Sequence, residues 1–279
     1  MPIDERQASL SAHMHQRGPT PIDDPLLSVL VPVYNEELTL RRVIERVLEL
    51  PMRLEVIVVD DGSTDGSRAI GEALAAEHTD VRYHGLPKNQ GKGGAVRTGL
   101  RLAHGDIVVV QDADLEYDPV DIPRLIDPIA AGHADAVYGT RLRGGEAQRV
   151  HLFSHYVGNR LLSLAARVMY NTTISDISTG YKAFRTDLLR SFDLEENGFR
   201  FEPEVTARVL CTPGTRIYEL PISYFGRTFE EGKKITWREG PAYLWILMRE
   251  RFTPATYGQH EWRRQLQERM AEVEASGDA

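Results

Sequence analysis

Three carboxylates follow a short apolar run near the middle of the sequence, at two-residue spacing. The run Ile107–Val110 leads into Asp112, Asp114 and Glu116. Because alternate residues of a strand share one face, these side chains are expected to converge where a buried strand leaves its sheet. Carboxylate oxygens suit a hard divalent cation, which completes its shell with water and substrate phosphate oxygens. The spacing therefore predicts a metal site for a diphosphate-bearing substrate, although an acidic loop after a strand explains Asp-x-Asp alone equally well.

Two earlier apolar runs also end in polar side chains. Tyr34, Asn35 and Glu36 follow the first run, and Asp61 follows the second. Tyr34 can stack on a nucleobase, and the carboxylates of Glu36 and Asp61 can accept hydrogen bonds from a base or a ribose. Asn35 and Glu36 equally suit the start of a helix, as an N-cap residue and a first-turn acid. Because ligands of open parallel sheets bind beyond the carboxyl ends of the strands, these clusters are expected to share one site.

A glycine-rich segment, Gly91-Lys92-Gly93-Gly94, precedes a predicted helix. Glycines let backbone amides approach an anion, and a helix N-terminus favours negative charge, so Lys92 is a candidate phosphate contact. The segment is not a Walker A loop, since no Ser or Thr follows the lysine. Tight helix packing is the alternative reason for the glycines.

The elements that position these residues alternate between β-branched runs and helical segments. Strands are predicted at 26–33, 54–60, 81–86, 106–111 and 135–140, and helices at 37–49, 66–78, 91–104, 120–131 and about 152–170. Runs such as Val56-Ile57-Val58-Val59 are apolar on both faces, as burial between two helix layers requires. The pattern predicts an α/β fold with a mostly parallel central sheet and helices on both faces.

Composition excludes several classes of protein. The 279 residues carry 33 Lys and Arg against 41 Asp and Glu, a net charge of -8, which argues against general nucleic-acid binding. Cys211 is the only cysteine, which excludes an internal disulfide and fits a reducing cytoplasm. No stretch reaches the roughly 18 to 20 consecutive apolar residues of a membrane-spanning helix. A cytoplasmic protein, either soluble or peripherally attached, is therefore expected.

The order of these clusters resembles the family-two glycosyltransferases, which have the GT-A nucleotide-sugar fold, and in particular the dolichyl- and polyprenyl-phosphate sugar synthases. The resemblance spans about residues 26 to 240. It rests on Val31-Pro-Val-Tyr-Asn-Glu36, Val58-Val-Asp-Asp-Gly-Ser63, Gly91-Lys-Gly93, Asp112-Ala-Asp114 and Gly139-Thr-Arg141. It implies a nucleotide-sugar-binding half at 26–141 and an acceptor half at 142–240. The residues outside it predict a flexible arm at 1–25, which has no apolar core, and an amphipathic segment with a charged tail at 241–279.

The resemblance also implies roles on the donor side. Pro32, Tyr34, Glu36, Val59 and Asp61 would hold the nucleoside, and Lys92, Asp112, Ala113 and Asp114 would hold the diphosphate. Mg²⁺ or Mn²⁺ would be bound by Asp112, Asp114 and Glu116. Glu116 stands where polyprenyl-phosphate mannose synthases commonly have Gln, so an oxygen ligand is kept and a charge is added.

The segment Asp176-Ile-Ser-Thr-Gly180-Tyr-Lys-Ala-Phe-Arg185 is similar to the acceptor-side segment of these enzymes, which implies that Asp176 lies close to the reaction centre. Asp176 either removes a proton from a hydroxyl acceptor, orients a phosphate acceptor, or caps its own turn. Glu202 and Glu204 either contact the hydroxyls of the donor sugar or begin a helix.

Basic residues complete the expected site. Arg227 and Lys233, in a basic stretch of an acidic protein, are expected to close over phosphates and assist catalysis together with Asp114 and Asp176. Arg141 and Arg149 are expected to receive the acceptor phosphate.

The expected reaction is inverting transfer of a hexose from a nucleotide-diphosphate sugar, of GDP-mannose or UDP-glucose type, to a polyprenyl phosphate. The segment at 241–252 would then lie on the cytoplasmic face of a membrane, or else pack on the protein's own core or on a membrane partner subunit. The alternatives are transfer to a soluble or protein-bound hydroxyl, and a non-catalytic regulator that binds a nucleotide sugar.

Overall fold

A computed structural model of the protein describes residues 21–144, 149, 153–227 and 239–253. Within these residues, seven strands form one sheet in the order β3-β2-β1-β4-β6-β5-β7. The strands are β1 (Leu27–Val33), β2 (Leu54–Asp60), β3 (Val81–Gly85), β4 (Ile107–Val110), β5 (Ala136–Thr140), β6 (Lys182–Arg185) and β7 (Ile217–Pro221). The helices are α1 (Leu40–Leu48), α2 (Ser67–Glu77), α3 (Gly91–Leu102), α4 (Ile122–Ala130), α5 (Phe153–Tyr170), α6 (Thr186–Arg190), α7 (Phe201–Cys211) and α8 (Gly240–Phe252).

The sheet is parallel except at β6. Strand β1 pairs in parallel with β2 and β4, β2 with β3, and β5 with β7. Strand β6 lies between β4 and β5 and runs antiparallel to both. The carboxyl ends of β1, β2 and β4 therefore meet at one edge, and the prediction of a mostly parallel α/β sheet is confirmed.

Alternation along the central strands explains why helices cover both faces. In β1, Val29 and Val31 belong to one buried cluster, and Leu30 belongs to the other. The first cluster also contains Leu40 and Val43 from α1, at the three-residue spacing of a helix face. Helices α1, α2 and α4 contribute to this first cluster, whereas α3, α6, α7 and α8 contribute to the second. Each apolar strand is thus buried on both sides.

The predicted strands and helices agree with the structure to within a few residues, apart from the start of the first helix. Helix α1 begins at Leu40, and Thr39 occupies its N-cap position without a side-chain hydrogen bond. Asn35 has a φ of 54°, and its side-chain oxygen accepts a hydrogen bond from the Thr64 amide at 2.8 Å. Of the two roles left open for Asn35, helix capping is not observed, because its side chain ties the end of β1 to the loop after β2.

The sheet joins the two predicted halves of the chain. Strands β6 and β7 come from the predicted acceptor half and pair with β4 and β5. Ile22, within the predicted arm, donates its backbone N–H to the Ala130 carbonyl at 2.8 Å, so the end of that segment is attached. Residues 1–20 of the arm, Lys233, and the tail from 254 lie outside the described residues.

None of the helices within the described ranges is long and apolar enough to cross a membrane.

Candidate functional site

A cavity of about 780 Å³ lies at the carboxyl ends of β1, β2 and β4 and continues between helices α5 and α8. Most of the residues selected from the sequence line it. They are Pro32, Tyr34, Glu36, Asp61, Lys92, Asp112, Ala113, Asp114, Glu116, Arg141 and Arg227. Val59, Asp176 and Arg149 are not among the lining residues. The structure thus gathers the predicted donor residues around one space, while the role of each residue stays a prediction.

Asp61 links the end of β2 to the start of α3. Its two carboxylate oxygens accept hydrogen bonds from the amides of Gln90 and Gly91, at 2.6 and 2.7 Å. Burial raises the pKa of Asp61 despite these bonds, and Asp60 raises it further. Each oxygen has a second lone pair, so the carboxylate can still accept a hydrogen bond from a ligand in the cavity. Val59, predicted to hold the nucleoside, has its side chain buried in the core.

Asp112 and Asp114 lie side by side where β4 ends. The Lys92 Nζ is 2.7 Å from Asp112 Oδ1 and 3.0 Å from Asp112 Oδ2. Burial raises the pKa of Asp114 to about 7, and the negative charges of Asp112 and Glu116 add to the shift. A cation between Asp112 and Asp114 would relieve this repulsion, so these two carboxylates fit a divalent metal that takes its other ligands from water and phosphate.

Glu116 is held by the segment after β7. Its Oε2 accepts a hydrogen bond from the Tyr224 hydroxyl and its Oε1 accepts one from the Arg227 amide, both at 2.7 Å. Within the described residues, no group of three or more His, Cys, Asp or Glu side chains is arranged to hold a metal ion. The predicted set of Asp112, Asp114 and Glu116 is therefore not assembled in this conformation, and the third ligand stays a prediction.

A row of alternating charges runs inward from Asp112. Beyond Lys92 lies Glu202, whose Oε1 is 3.1 Å from the Lys92 Nζ, and Glu202 also contacts the buried Lys182. Although burial raises the pKa of Glu202, the ammonium groups of Lys182 and Lys92 bring it below its ordinary value. Burial lowers the pKa of Lys182. The sequence left open whether Glu202 contacts a sugar or begins a helix; it lines the cavity from the first turn of α7.

Glu204, the other acid of that turn, has a structural role. Its oxygens accept hydrogen bonds from the amides of Glu195 and Glu196, both at 2.9 Å, and it does not line the cavity. The role of Lys182 was not predicted, and the only sequence signal is a lysine placed between Tyr181 and the apolar pair Ala183-Phe184. All four residues of β6 are buried.

Gly180 forms the wall behind Asp112, which was also missed. A Cβ at this position would lie 2.6 Å from Asp112 Oδ2 and 3.2 Å from Lys92 Nζ. The Gly180 amide donates a hydrogen bond to the Tyr117 hydroxyl at 2.9 Å. Only a residue without a side chain leaves room for the carboxylate here.

Asp176 acts on the cavity through Arg141. The Arg141 side chain donates two hydrogen bonds to the carboxylate, from Nε at 2.7 Å and from Nη2 at 2.9 Å, and its amide donates a third at 3.1 Å. Burial alone would raise the pKa of Asp176, but Arg141 lowers it below its ordinary value. A fully buried, ion-paired carboxylate outside the cavity wall is poorly placed to remove a proton. Asp176 therefore positions Arg141, whose guanidinium also lies 5.1 Å from the centre of the Tyr224 ring.

Residues 224–227, here called the strap, connect the segment after β4 with the segment after β1. Arg227 donates hydrogen bonds to Glu36 Oε2 at 3.0 Å and to the Asp114 carbonyl at 2.5 Å. Arg149 donates its Nη1–H to the Gly226 carbonyl at 3.1 Å and its amide N–H to the Tyr224 carbonyl at 2.9 Å. The prediction that Arg149 faces the acceptor phosphate is not met in this conformation, because Arg149 supports the strap from outside the cavity.

The far end of the cavity is apolar. Helix α5 contributes Leu161, Leu162 and Ala165, and helix α8 contributes Pro241 and Leu244. The sequence left open whether the segment at 241–252 lies on a membrane, packs on the protein's own core or packs on a partner subunit, and the structure shows a helix with both buried and exposed side chains. Ile246 and Leu247 are buried, and Tyr243, also buried, donates a hydrogen bond to the Phe199 carbonyl, whereas Trp245 is 61% exposed. The contribution of α5 was not predicted.

Comparison with known proteins finds similar sequences among enzymes that transfer sugars. The sequence profile described as "Glycosyl transferase family 2" matches residues 28–192. The chain is 34% identical over 210 residues to undecaprenyl-phosphate mannosyltransferase of Micrococcus luteus, covering 73% of this chain and 85% of that protein. It is 32% identical over 207 residues to polyprenol monophosphomannose synthase of Mycolicibacterium smegmatis, covering 71% and 77%.

A solved structure shares the fold. Glucosyl-3-phosphoglycerate synthase from Mycobacterium tuberculosis, crystallised with Mn²⁺, uridine diphosphate and glucosyl-3-phosphoglycerate, superposes with a TM-score of 0.64 at 22% identity. The match covers 83% of this chain and 82% of that chain. It confirms the fold predicted for the sequence.

The contact between Gly180 and Asp112 predicts that one added methyl group at position 180 weakens metal binding. Gly180→Ala should weaken Mn²⁺ binding in the presence of uridine diphosphate by about tenfold, because the methyl group displaces the Asp112 carboxylate in a closely packed wall. Isothermal titration calorimetry measures the affinity. Gly144→Ala is the control, since a Cβ there meets nothing within 4 Å. Equal affinities for the two variants would contradict the assigned contact.

The pairing of Asp176 with Arg141 predicts the outcome of a double-mutant cycle in the free energy of unfolding. Asp176→Asn should lower the free energy of unfolding by about 3–5 kcal/mol, because it leaves a buried guanidinium without its partner. Adding Arg141→Met to that variant should recover part of the loss, as measured by urea denaturation. If Asp176→Asn unfolds like the wild type, Asp176 is not held in this ion pair, and a proton-transfer role becomes open again.

Proposed function

The chain belongs to glycosyl transferase family 2, and on that premise we propose that it transfers a hexose from a nucleotide-diphosphate sugar to a polyprenyl phosphate, with inversion at the anomeric carbon. The cavity carries the proposal, because its polar end suits a metal-bound diphosphate and its apolar end suits a lipid. The names of the relatives support it, since both act with polyprenyl-type phosphates according to those names.

The proposed donor lies at the ends of β1, β2 and β4. Tyr34 and Asp61 contact the nucleoside, while Lys92 and Arg227 face the diphosphate. The positive charges of Lys92 and Arg227 stabilise the negative charge that builds up on the leaving diphosphate. A Mg²⁺ or Mn²⁺ ion on Asp112 and Asp114, when bound, adds further positive charge at the same place.

The proposed acceptor enters from the side of α5 and α8. A phosphate oxygen of the acceptor attacks the anomeric carbon on the face opposite the diphosphate, and the bond from that carbon to the diphosphate breaks with its electron pair. A phosphate is already ionised near neutral pH, so no general base is needed. Arg141, held by Asp176, supplies the charge that receives the acceptor phosphate.

The two alternatives have less support. Transfer to a hydroxyl acceptor needs a base, and Asp176, the residue considered for that role, is buried in its pair with Arg141. A regulator that only binds a nucleotide sugar would not need Arg141, the cavity residue proposed to receive the acceptor phosphate. The nucleobase and the sugar depend on many wall contacts, so GDP-mannose and UDP-glucose are both included in the test below.

An exposed apolar face supports attachment to a membrane surface. It is formed by side chains from two helices that pack against each other, α5 and α8. These side chains are Phe153, Leu161, Leu164, Val168, Leu244, Trp245, Met248 and Phe252. Arg160, Arg167 and Arg251 are exposed on the same two helices and suit anionic headgroups. We therefore propose a peripheral position on the cytoplasmic face of a membrane, with a membrane partner subunit as the alternative occupant of this face.

The first test of the function is a donor screen. Purified protein, Mg²⁺ or Mn²⁺, and polyprenyl phosphate should convert one of GDP-mannose and UDP-glucose into a polyprenyl-phosphate hexose detected by mass spectrometry. Asp114→Ala should reduce the rate by at least about a hundredfold, since it removes a group that stabilises the transition state. Turnover that persists in Asp114→Ala or after chelation would contradict the metal assignment.

The membrane position is tested by vesicle flotation. Trp245→Glu should lower binding to anionic vesicles by about tenfold, because an exposed aromatic side chain is lost from the apolar face. Val120→Glu is the matched control, since Val120 is 62% exposed and lies outside α5 and α8. A wild-type protein that stays in the unbound fraction would favour a partner subunit instead.

A further inference from the structure

A lysine neutralises the first carboxylate of the expected metal site. Both oxygens of Asp112 lie within 3.0 Å of the Lys92 Nζ. The side chains of Lys92 and Asp112 are only 10% and 20% exposed, so water screens this pair weakly. A cation that binds Asp112 therefore competes with an ammonium group for the same carboxylate.

The surroundings of Lys92 keep its charge available for a second partner. Glu202 also contacts Lys92, at 3.1 Å, but Glu202 is paired with Lys182 as well. Two positive and two negative groups thus balance in one buried row. If Asp112 gave its charge to a metal ion, Lys92 would be left as an excess positive charge beside that ion.

An anion is required to complete such an exchange. Lys92 and Arg227 both line the cavity that holds Asp112 and Asp114, but Arg227 already donates hydrogen bonds to Glu36 and to the Asp114 carbonyl. Lys92 is the second residue of α3, and the start of that helix favours an anion. A diphosphate bound at this helix start would lie within reach of the released ammonium group.

We propose that Lys92 is an exchangeable counter-ion, which neutralises Asp112 in the donor-free protein and moves to the donor diphosphate when the metal ion takes Asp112. This inference rests on the proposed function for the identity of the anion. Its consequence is that metal and nucleotide bind as a coupled pair. Metal alone binds weakly because it displaces Lys92 without giving it an anion, and by reciprocity each ligand raises the affinity for the other by one common factor.

The test measures Mn²⁺ binding by calorimetry, with and without uridine or guanosine diphosphate, in the wild type, Lys92→Met and Lys88→Met. The exposed Lys88 provides a control for loss of a positive charge near the site. In the wild type and in Lys88→Met, one of the nucleotides should tighten Mn²⁺ binding by at least about tenfold. In Lys92→Met, Mn²⁺ without nucleotide should bind at least about threefold more tightly than in the wild type. The factor by which the nucleotide tightens Mn²⁺ binding should fall by about tenfold.

Two results would overturn the proposal. One is a Lys92→Met protein that binds Mn²⁺ without nucleotide no more tightly than Lys88→Met. The other is absence of Mn²⁺ binding by all three proteins, because removal of the Lys92 ammonium group in Lys92→Met should free Asp112 and make Mn²⁺ binding measurable. Thermal unfolding of each variant checks that it is folded. The experiment contains neither acceptor nor sugar. Failure of hexose transfer to a lipid therefore leaves the Mn²⁺-binding result unaffected, and a negative Mn²⁺-binding result leaves the transfer assay unaffected.

Discussion

The site depends on one constraint, which is that charges buried where the strands end must be paired. An unpaired buried charge costs about 3–5 kcal/mol, a large part of the stability of a domain of this kind. The chain meets this constraint with the row of Asp112, Lys92, Glu202 and Lys182, which come from the end of β4, the start of α3, the start of α7, and β6. The pairs fix where α3 and α7 approach the sheet edge. They also place a lysine beside the carboxylates that suit a metal ion.

The same constraint organises the acceptor side. Arg141 would be an isolated charge next to the Tyr117 and Tyr224 rings without Asp176, and the Asp176 pair fixes its guanidinium at the cavity wall. The strap repeats the arrangement, because the Arg227 guanidinium pairs with Glu36, while the Arg227 backbone N–H donates to Glu116. Positive groups are therefore held at two places in the lining of one cavity, by Arg141 and by Arg227. Two phosphate-bearing substrates can then approach each other without a large repulsion.

Features that follow from the apolar period or from the general rule for parallel sheets could be predicted from the sequence, and specific pairings between distant side chains could not. The strands and helices followed from the period of apolar residues, and the gathering of Tyr34, Asp61 and Asp112 followed from the rule for parallel sheets. The partners of Glu116 lie more than 100 positions away in the chain, and those of Asp176 lie 35 away. No local pattern carries such pairings.

Gly180 and helix α5 illustrate the same limit. The need for glycine at 180 arises from the side chain of Asp112, and the apolar end of the cavity arises from the packing of α5 on α8. The resemblance to a family placed Lys233 and Arg149 near phosphates. Lys233 lies outside the described residues, and Arg149 supports the strap from outside the cavity. Asn35 shows that a favourable N-cap residue can be used for a contact between loops instead.

The central claim is that one cavity binds a charged donor at its polar end and a lipid phosphate at its apolar end. The most direct measurement compares kcat/KM for polyprenyl phosphate with kcat/KM for an alkyl phosphate of only a few carbons, with the same donor and metal. The account predicts that the long chain raises kcat/KM by at least about tenfold, because each buried methylene contributes about 0.8 kcal/mol. Equal values for the two acceptors, or a higher value for a hydroxyl acceptor without a lipid chain, would contradict it.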